Sequence, residues 1–244
     1  MNRTIHGAAL VALTLTALAA PRASAARIDL DFDLDAWGGT IEPGQFIDDE
    51  YAAWGVDIAG HGSNGLGAAI TFDSANPTGN DSDLVAPGYH PTNTTPLGNL
   101  LILPKDVHDA DRDGLVDDPD DHAGRPAGWF GFTFGRSFTQ GAVALVDIEE
   151  AGGEVRLVNN LDLNSGSHDL VDVIAVPGRG DNSLQLIDFN NVGPFEAMMV
   201  TMAGSGAVDN VTVGSGTLIP EPASVALFGL AIGLACPRRP KRRA

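Results

Sequence analysis

Short apolar runs separated by glycine, aspartate and asparagine dominate the chain between residues 26 and 213. Eleven runs of four to seven residues, rich in β-branched and aromatic side chains, have the length and composition of strands. In one of them Phe130, Phe132 and Phe134 occupy alternate positions and are therefore expected on one face. The predicted strands cover residues 28–32, 56–59, 69–72, 100–103, 129–134, 142–148, 155–158, 170–175, 183–188, 197–202 and 207–213.

Helical periodicity is weak throughout this stretch, and only residues 48–54 are expected to form about one helical turn. Many short strands with glycine-rich corners favour antiparallel sheets over a parallel α/β fold. We therefore predict one all-β domain over residues 26–213, of β-sandwich or jelly-roll-like architecture. The polar segments 72–98 and 105–126 are predicted to be long loops, where binding residues commonly lie.

The N-terminus has the three parts of a secretory signal peptide. Arg3 supplies the positive charge, residues 8–18 form a short apolar core, and Ala23-Ser24-Ala25 fits the small-residue cleavage rule. The apolar core is too short to span a membrane comfortably. We expect residues 1–25 to be a signal peptide, with a buried N-terminal helix as the alternative.

The C-terminus also has three parts, which follow a linker predicted at residues 214–219. A Pro-Glu-Pro triplet cannot continue a strand or a helix, and the apolar segment 223–236 behind it is expected to be a transmembrane helix. Basic residues end the chain and would stay on the cytoplasmic side, which leaves the body outside. The predicted sorting residues are Pro220, Glu221, Pro222, Arg238, Arg239, Lys241, Arg242 and Arg243.

Residues 220–244 resemble the PEP-CTERM sorting signal of bacterial exported proteins. The resemblance implies that an exosortase-type sorting protease recognises a membrane-anchored precursor and removes the signal. The mature protein would then lie at the cell surface or outside the cell. Cys236, at the end of the apolar segment, departs from the family pattern and is interpreted as a small apolar residue, with a lipidation or sorting feature as the alternative. A plain C-terminal anchor is the alternative for the whole segment.

The charge of the body limits its partners. The chain has 14 Lys and Arg and 32 Asp and Glu, and the two end segments hold seven of the bases but only one acid. The body therefore carries a net charge of −24, which repels phosphates and argues against nucleic-acid binding. Its surface suits cations instead. The single cysteine lies outside the body, so a metal ion is the expected means of fastening loops.

The loop at residues 109–120 has the spacing of a calcium site, Asp-x-Asp-x-Asp-Gly-x-x-Asp-x-x-Asp. Calcium takes six to eight oxygen ligands, and carboxylates at alternate positions let one loop wrap the ion. Gly114 permits the sharp turn, and Leu115 would contribute its backbone carbonyl. The predicted ligands are Asp109, Asp111, Asp113, Leu115, Asp117 and Asp120, and the alternative is a solvated acidic loop.

The same loop resembles those of EF-hands, dockerins and thrombospondin type 3 repeats. Its last residue is Asp where EF-hands have Glu, and no amphipathic helices flank it, so the dockerin comparison fits better. A fainter cluster, Asp81, Asp83, Asp118 and Asp121, would form another ion site or the rim of a ligand site if the two long loops meet.

No arrangement of nucleophile, histidine and acid predicts an enzyme. Trp37, Tyr51, Trp54 and Tyr89 are candidate ligand contacts because aromatic rings stack on sugars, although core packing is the alternative. We therefore expect a calcium-stabilised exported protein that adheres to or organises exopolysaccharide or biofilm material. A lectin-like carbohydrate-binding module is the alternative, and a glycan-active hydrolase using Asp147 with Glu149 and Glu150 is less favoured.

Overall fold

The structure, a computed structural model, describes residues 27–79 and 81–215. The predicted signal peptide, most of the linker and the predicted sorting signal lie outside the described residues. Nine strands are present, with two short 3₁₀ helices at Ala52–Trp54 and Ser82–Leu84. The strands are β1 Arg27–Leu30, β2 Val56–Gly62, β3 Ile70–Asp73, β4 Asn99–Ile102, β5 Gly128–Val146, β6 Gly153–Asn159, β7 Asp169–Val176, β8 Leu184–Met202 and β9 Ala207–Gly214.

All pairings between these strands are antiparallel, so the predicted all-β class is confirmed. The two 19-residue strands β5 and β8 form the backbone of the arrangement. Their first shared section, residues 128–133 with 197–202, is flanked by β2 on one side and by β6 and β7 on the other. Their second section, 140–146 with 184–190, is flanked by β9, beside which lie β1, β4 and β3.

One hydrophobic core joins the two sections. Buried side chains of the first section, such as Phe132 and Val200, share a cluster with Val143 and Val211 of the second. The sheet therefore folds over onto itself, an arrangement consistent with a β-sandwich. Phe130, Phe132 and Phe134 are all buried on one face, as their spacing predicts.

The fold-over occurs where both long strands lose their regular register. The pairing of β5 with β8 shifts between Thr133 and Gln140, and residues 135–137 and 193–194 at this corner are exposed or half-exposed. Four phenylalanines pack inside the bend, with ring centroids 5.5–6.4 Å apart and mostly edge-to-face: Phe134, Phe138, Phe189 and Phe195. Such pairs add to the energy of burial, so this aromatic corner helps to hold the two sections together.

The eleven predicted strands correspond to the nine observed ones because two pairs of predictions merge. Residues 129–134 and 142–148 belong to β5, and residues 183–188 and 197–202 belong to β8. Gly135, Gly193 and Pro194 at the corner have the composition of turns, which is why the sequence predicts breaks there. Arg27 pairs with Gly214, so the first and last strands lie side by side. β9 thus extends one residue into the predicted linker.

We expect replacement of Phe138 by alanine to destabilise the fold by about 3–5 kcal/mol, because it leaves a cavity inside the aromatic corner. Urea unfolding followed by circular dichroism measures the change. Leu170→Ala is the control, since Leu170 is 57% exposed on β7 and its truncation should change stability by no more than about 0.5 kcal/mol. Equal losses in the two variants would contradict the role given to the corner.

Candidate functional site

The acidic loop between β4 and β5 brings three of its predicted calcium ligands together. Oxygens of Asp109, Asp111 and Asp113 all lie within 4.8 Å of one another. Asp109 accepts hydrogen bonds from the backbone N–H groups of Arg112 and Gly114, at 2.6 and 3.1 Å. Gly114 adopts a φ of +92°, which is the turn that its position in the sequence predicts. These oxygens are spaced closely enough to share one ion.

Two further predicted ligands lie in the same loop but are engaged differently. The N–H of Leu115 donates to Asp113 at 2.9 Å, and the carboxylate of Asp117 accepts from the N–H of Ala110 at 2.7 Å. Val116 is buried and belongs to a second, smaller core cluster. Val116 therefore anchors the loop to the domain.

Asp120 does not close the loop, and this part of the prediction is corrected. Its carboxylate forms an ion pair with Lys105 at 2.7 Å and lies with Asp81 and Asp121. The physical reason is local pairing of the chain, since the N–H of Lys105 donates to the Asp120 carbonyl at 2.9 Å. This contact turns the end of the loop toward the segment that contains Asp81.

The cluster of Asp81, Asp120 and Asp121 joins the two long loops. Asp121 is only 5% exposed, and its carboxylate accepts a hydrogen bond from the Gly206 N–H at 2.5 Å. Asp81 in turn accepts from the N–H of Asp121. Burial, with the charge of Asp81 as a further cause, raises the pKa of Asp121 to about 8, and burial raises that of Asp81 to about 7.

Asp83, Asp147 and Asp181 form another cluster whose oxygens lie within 4.8 Å of one another. Asp147 is almost fully buried and accepts a hydrogen bond from the Asn182 N–H at 2.6 Å. Burial, followed by the charge of Asp83, raises the pKa of Asp147 to about 7. The neighbouring Asp181 carboxylate, first as a hydrogen-bond acceptor for the hydroxyl and then as a charge, raises the pKa of the exposed Tyr89.

The structure separates the four aspartates of the fainter predicted cluster. Asp81 and Asp121 come together, Asp83 belongs to the neighbouring cluster, and Asp118 is in neither. The sequence did not indicate that Asp147 and Asp181 would join Asp83 in a cluster, because the three residues are far apart in the chain. The signal available for Asp147 was a carboxylate directly after the apolar run of β5.

The four candidate aromatic contacts have different surroundings. Trp37 and Tyr89 are well exposed, at 85% and 64%, and Trp54 is 41% exposed. Tyr51 is 1% exposed, so its prediction as a surface contact is corrected. It lies in the core because its ring packs between Phe32 and Trp54, with centroids 6.2 and 5.6 Å away.

Trp54 lines an open groove of about 720 Å³ beside the fold-over corner. Charged side chains from both ends of β1 and from the corner line the same groove, namely Arg27, Asp29 and Arg136. Arg27 and Asp29 are joined by hydrogen bonds of 2.6–2.8 Å, and Arg136 lies 5.5 Å from the centre of the Phe138 ring. An aromatic face thus lies among hydrogen-bonding groups, and sequence reasoning did not identify the charged ones.

Two of the acids considered for a glycan-active hydrolase are engaged with other groups in the structure. Asp147 is buried with Asp83 and Asp181, whereas Glu150 forms an ion pair with Arg125. Glycosidases need two carboxylates that face one substrate-sized space. This arrangement gives that hypothesis no support.

The predicted sorting residues and the apolar segment 223–236 lie outside the described residues. Among the helices at 27–79 and 81–215, none is long and apolar enough to cross a membrane.

Comparisons with known proteins found no matching family model and no matching curated protein. A mutant lectin-binding domain of lectinolysin, complexed with Lewis b, aligns at 12% identity and a TM-score of 0.26, over 36% of this chain and 65% of that one. The family 32 carbohydrate-binding module of C. perfringens NanJ, complexed with galactose, aligns at 17% and 0.25, over 36% and 66%. A mutant of a family 29 carbohydrate-binding module aligns at 19% and 0.25, over 42% and 74%.

The match spans slightly less than two-thirds of the lectinolysin domain and of the family 32 module. All three TM-scores are below 0.5 and all three identities are below 25%, so the likeness of this chain to these structures is remote.

We expect the stability of the chelated protein to fall as pH rises from 5.5 to 8. Asp81, Asp121 and Asp147 have higher pKa values when folded, so folding favours their protonated forms and becomes less favourable as they ionise. The melting temperature in EDTA should drop by roughly 5–10 °C over this range. Calcium should reduce the drop, because a bound cation offsets the buried charges.

Differential scanning calorimetry with EDTA or calcium chloride measures both effects. Asp121→Asn is the informative variant, since it removes one titrating group and should flatten the pH dependence in EDTA. A pH dependence that is the same with and without calcium would indicate that no cation binds at the clusters around Asp121 and Asp147.

Proposed function

We propose that the chain is an exported, calcium-stabilised β-sandwich module that binds extracellular carbohydrate. The observation that carries the proposal is the groove at Trp54. Sugar rings have apolar faces and hydroxyl edges, so their sites combine an aromatic surface with a few oriented polar groups. Trp54 supplies the surface, and Arg27, Asp29 and Arg136 supply donors and acceptors around it.

The backbone around Trp54 supports a preformed site. The 3₁₀ helix that contains Trp54 ends at Gly55, which has a φ of +75°. The Gly55 carbonyl accepts a hydrogen bond from the N–H of Gly135 at 2.6 Å, which ties this helix to the fold-over corner. Tyr51 packs against Trp54 from the core. A ring held in this way loses little conformational entropy when a ligand binds.

Calcium is proposed as the ion that stabilises the loops. Asp109, Asp111 and Asp113 present oxygen ligands at the spacing that one ion requires. The buried acids around Asp121 and Asp147 add negative charge that only one ion pair, Lys105 with Asp120, offsets among the described residues of these clusters. Millimolar extracellular calcium would fill even weak sites.

Ionic adhesion is the second candidate function, and it has its own supporting observation. An open depression of about 680 Å³ is lined mainly by acidic side chains, including Asp106, Asp117, Asp118 and Asp120, with His108 beside them. Calcium held there would have free coordination positions for the carboxylates of an anionic polysaccharide. In this reading the protein organises biofilm material by bridging, without a sugar-specific groove.

Export and sorting are proposed from the two end segments. The signal peptide at residues 1–25 would direct translocation, and residues 220–244 would hold the precursor in the membrane until an exosortase-type protease acts. The body would then reach the cell surface or the extracellular matrix. This location fits a strongly acidic domain without cysteine.

We expect Trp54→Ala to weaken binding to a recognised polysaccharide about tenfold or more, because the stacking surface is lost. A panel of neutral and anionic polysaccharides in affinity electrophoresis, with calcium present, identifies the ligand and measures the loss. Trp54→Phe should restore part of the affinity. Trp37→Ala is the matched control, since Trp37 is more exposed but does not line the groove.

The same panel separates the two candidate functions. Binding of anionic polymers alone, lost on chelation and unchanged in Trp54→Ala, would replace the groove by ionic bridging. Unchanged binding in Trp54→Ala together with resistance to chelation would argue against both.

Intact mass measurement of the native protein tests the sorting proposal. We expect a mature chain that begins after Ala25 and lacks most of residues 220–244. Replacing Pro220-Glu221-Pro222 by three alanines should leave the C-terminus uncut. Recovery of native chains carrying both Met1 and Ala244 from the cell interior would overturn the proposal.

A further inference from the structure

Asp209, in the middle of β9, is fully buried and only half satisfied. One carboxylate oxygen, Oδ2, accepts a hydrogen bond from the side-chain amide of Asn210. The other, Oδ1, has no hydrogen-bond partner among the described residues. Removing a carboxylate from water without pairing it is strongly unfavourable. The position therefore requires a hydrogen-bond donor or a cation that the described residues do not supply.

The surroundings of Asp209 are a junction of three strands. One edge of β9 pairs with β4 up to Val208 and with β1 from Val211 onward, so the partner changes between these residues. On its other edge, the register with β5 shifts between Ala144 and Ala142, and Asn210 adopts a φ of +47°. Such an irregularity re-aims side chains, and Asp209 follows the last β9 residue that pairs with β4 and precedes the first that pairs with β1.

Two more aspartates lie at this junction. Asp33 accepts a hydrogen bond from the N–H of Asn99, the first residue of β4, at 2.8 Å. A side chain at Gly98 would collide with the Asp33 carboxylate, because a Cβ there would lie 2.3 Å from its Oδ1. Asp31 accepts from the N–H of Asp33 at 3.1 Å. Both carboxylates are held near the end of β1, and each keeps an oxygen without a hydrogen bond among the described residues.

The charges of Asp33 and Asp31 affect the pKa of Asp209. Burial, and then the charges of Asp33 and Asp31, raise the pKa of Asp209 to about 8. No ion pair within residues 27–79 and 81–215 involves any of the three. Three carboxylates thus share a region without a basic side chain paired to them.

The hydroxyl of Tyr51 is an independent sign that something polar is bound here. Tyr51 is 1% exposed, and its hydroxyl has no hydrogen-bond partner among the described residues. The Tyr51 ring packs against Phe32, with centroids 6.2 Å apart, and Phe32 lies between Asp31 and Asp33 in the chain. Burial, followed by the charge of Asp31, raises the pKa of Tyr51. Buried hydroxyls are rarely left without a partner. Two unsatisfied groups, from β9 and from the segment before the 3₁₀ helix, therefore occur around one pair of aspartates.

We propose that Asp209, Asp31 and Asp33 bind a structural calcium ion at the junction of β1, β4 and β9. All three ligands are carboxylates, which suits a hard divalent cation. Three carboxylates do not fill the six to eight oxygen positions that calcium takes, so waters would complete its coordination. Calcium accepts such irregular, partly hydrated coordination, whereas magnesium demands near-octahedral geometry. The ion would join the first strand of the body to the last, independently of the carbohydrate groove and of the loop at residues 109–120.

The test uses the full chain, freed of metal with EDTA and then titrated with calcium chloride. Native mass spectrometry should show one calcium ion fewer in Asp209→Asn than in the unsubstituted protein. Asp188→Asn, at an exposed position of β8, should bind the full number. The double variant Asp111→Asn/Asp113→Asn should lose a different ion, so combining it with Asp209→Asn should remove two.

Melting temperatures supply a second readout. A loss of side-chain packing alone would lower the stability of Asp209→Asn with and without calcium, whereas loss of a bound ion changes the sign of the effect between the two conditions. In EDTA, Asp209→Asn should be as stable as the unsubstituted protein or more stable, because it removes an unpaired buried charge. In saturating calcium it should be less stable, because the ion is lost. An unchanged calcium count, or a variant at least as stable in both conditions, would overturn the proposal.

Asp33→Asn keeps the test valid if Asp209→Asn does not fold. Its amide oxygen can still accept from the Asn99 N–H, while the charge at the junction is reduced. Calcium affinity at this site should fall about tenfold or more. An unchanged affinity for every ion would equally overturn the proposal.

Discussion

Buried carboxylates place the strongest energetic demand on this domain. Asp121, Asp147 and Asp209 are removed from solvent in a body with a net charge of −24. Each accepts at least one hydrogen bond, but a hydrogen bond does not neutralise a charge. The folded state therefore needs protons or cations, and at the proposed extracellular location millimolar calcium would be available. In this view the metal takes the place that disulfides occupy in many secreted domains.

The acidic clusters and the groove lie at separate places on the same framework. Asp147 directly follows the end of β5, whereas Arg136 lies at the corner in the middle of that strand. Eleven residue steps of strand separate them, which corresponds to at most about 36 Å. Because the strand is continuous, the proposed ion sites at one end and the proposed carbohydrate groove near the corner share one support. The two functions can therefore be varied separately, which is common where loops are carried on a sheet.

The sequence predicts most of the strands because short runs of β-branched and aromatic residues mark them, but it does not predict their continuity. Gly135, Gly193 and Pro194 have the composition of turns, and only the packing of Phe138 against Phe195 makes them part of a bend. In the acidic loop, Asp109, Asp111 and Asp113 come together because their spacing alone fixes their geometry. Asp120 does not follow, since a long-range contact with Lys105 redirects it. Asp209 carried a signal that periodicity could have revealed, namely a charge inside an apolar strand.

The pairing of Arg27 with Gly214 has a mechanical consequence. The chain enters and leaves the body at adjacent points, so a protein fixed by one terminus would extend its distal loops away from the attachment. Tension applied between the two termini would peel β1 from β9 one backbone contact at a time. Such unzipping requires less force than sliding two strands along each other, since the contacts break in sequence. A cation bound at the far end of the β1–β9 pairing would link the two strands and raise the force needed to separate them fully.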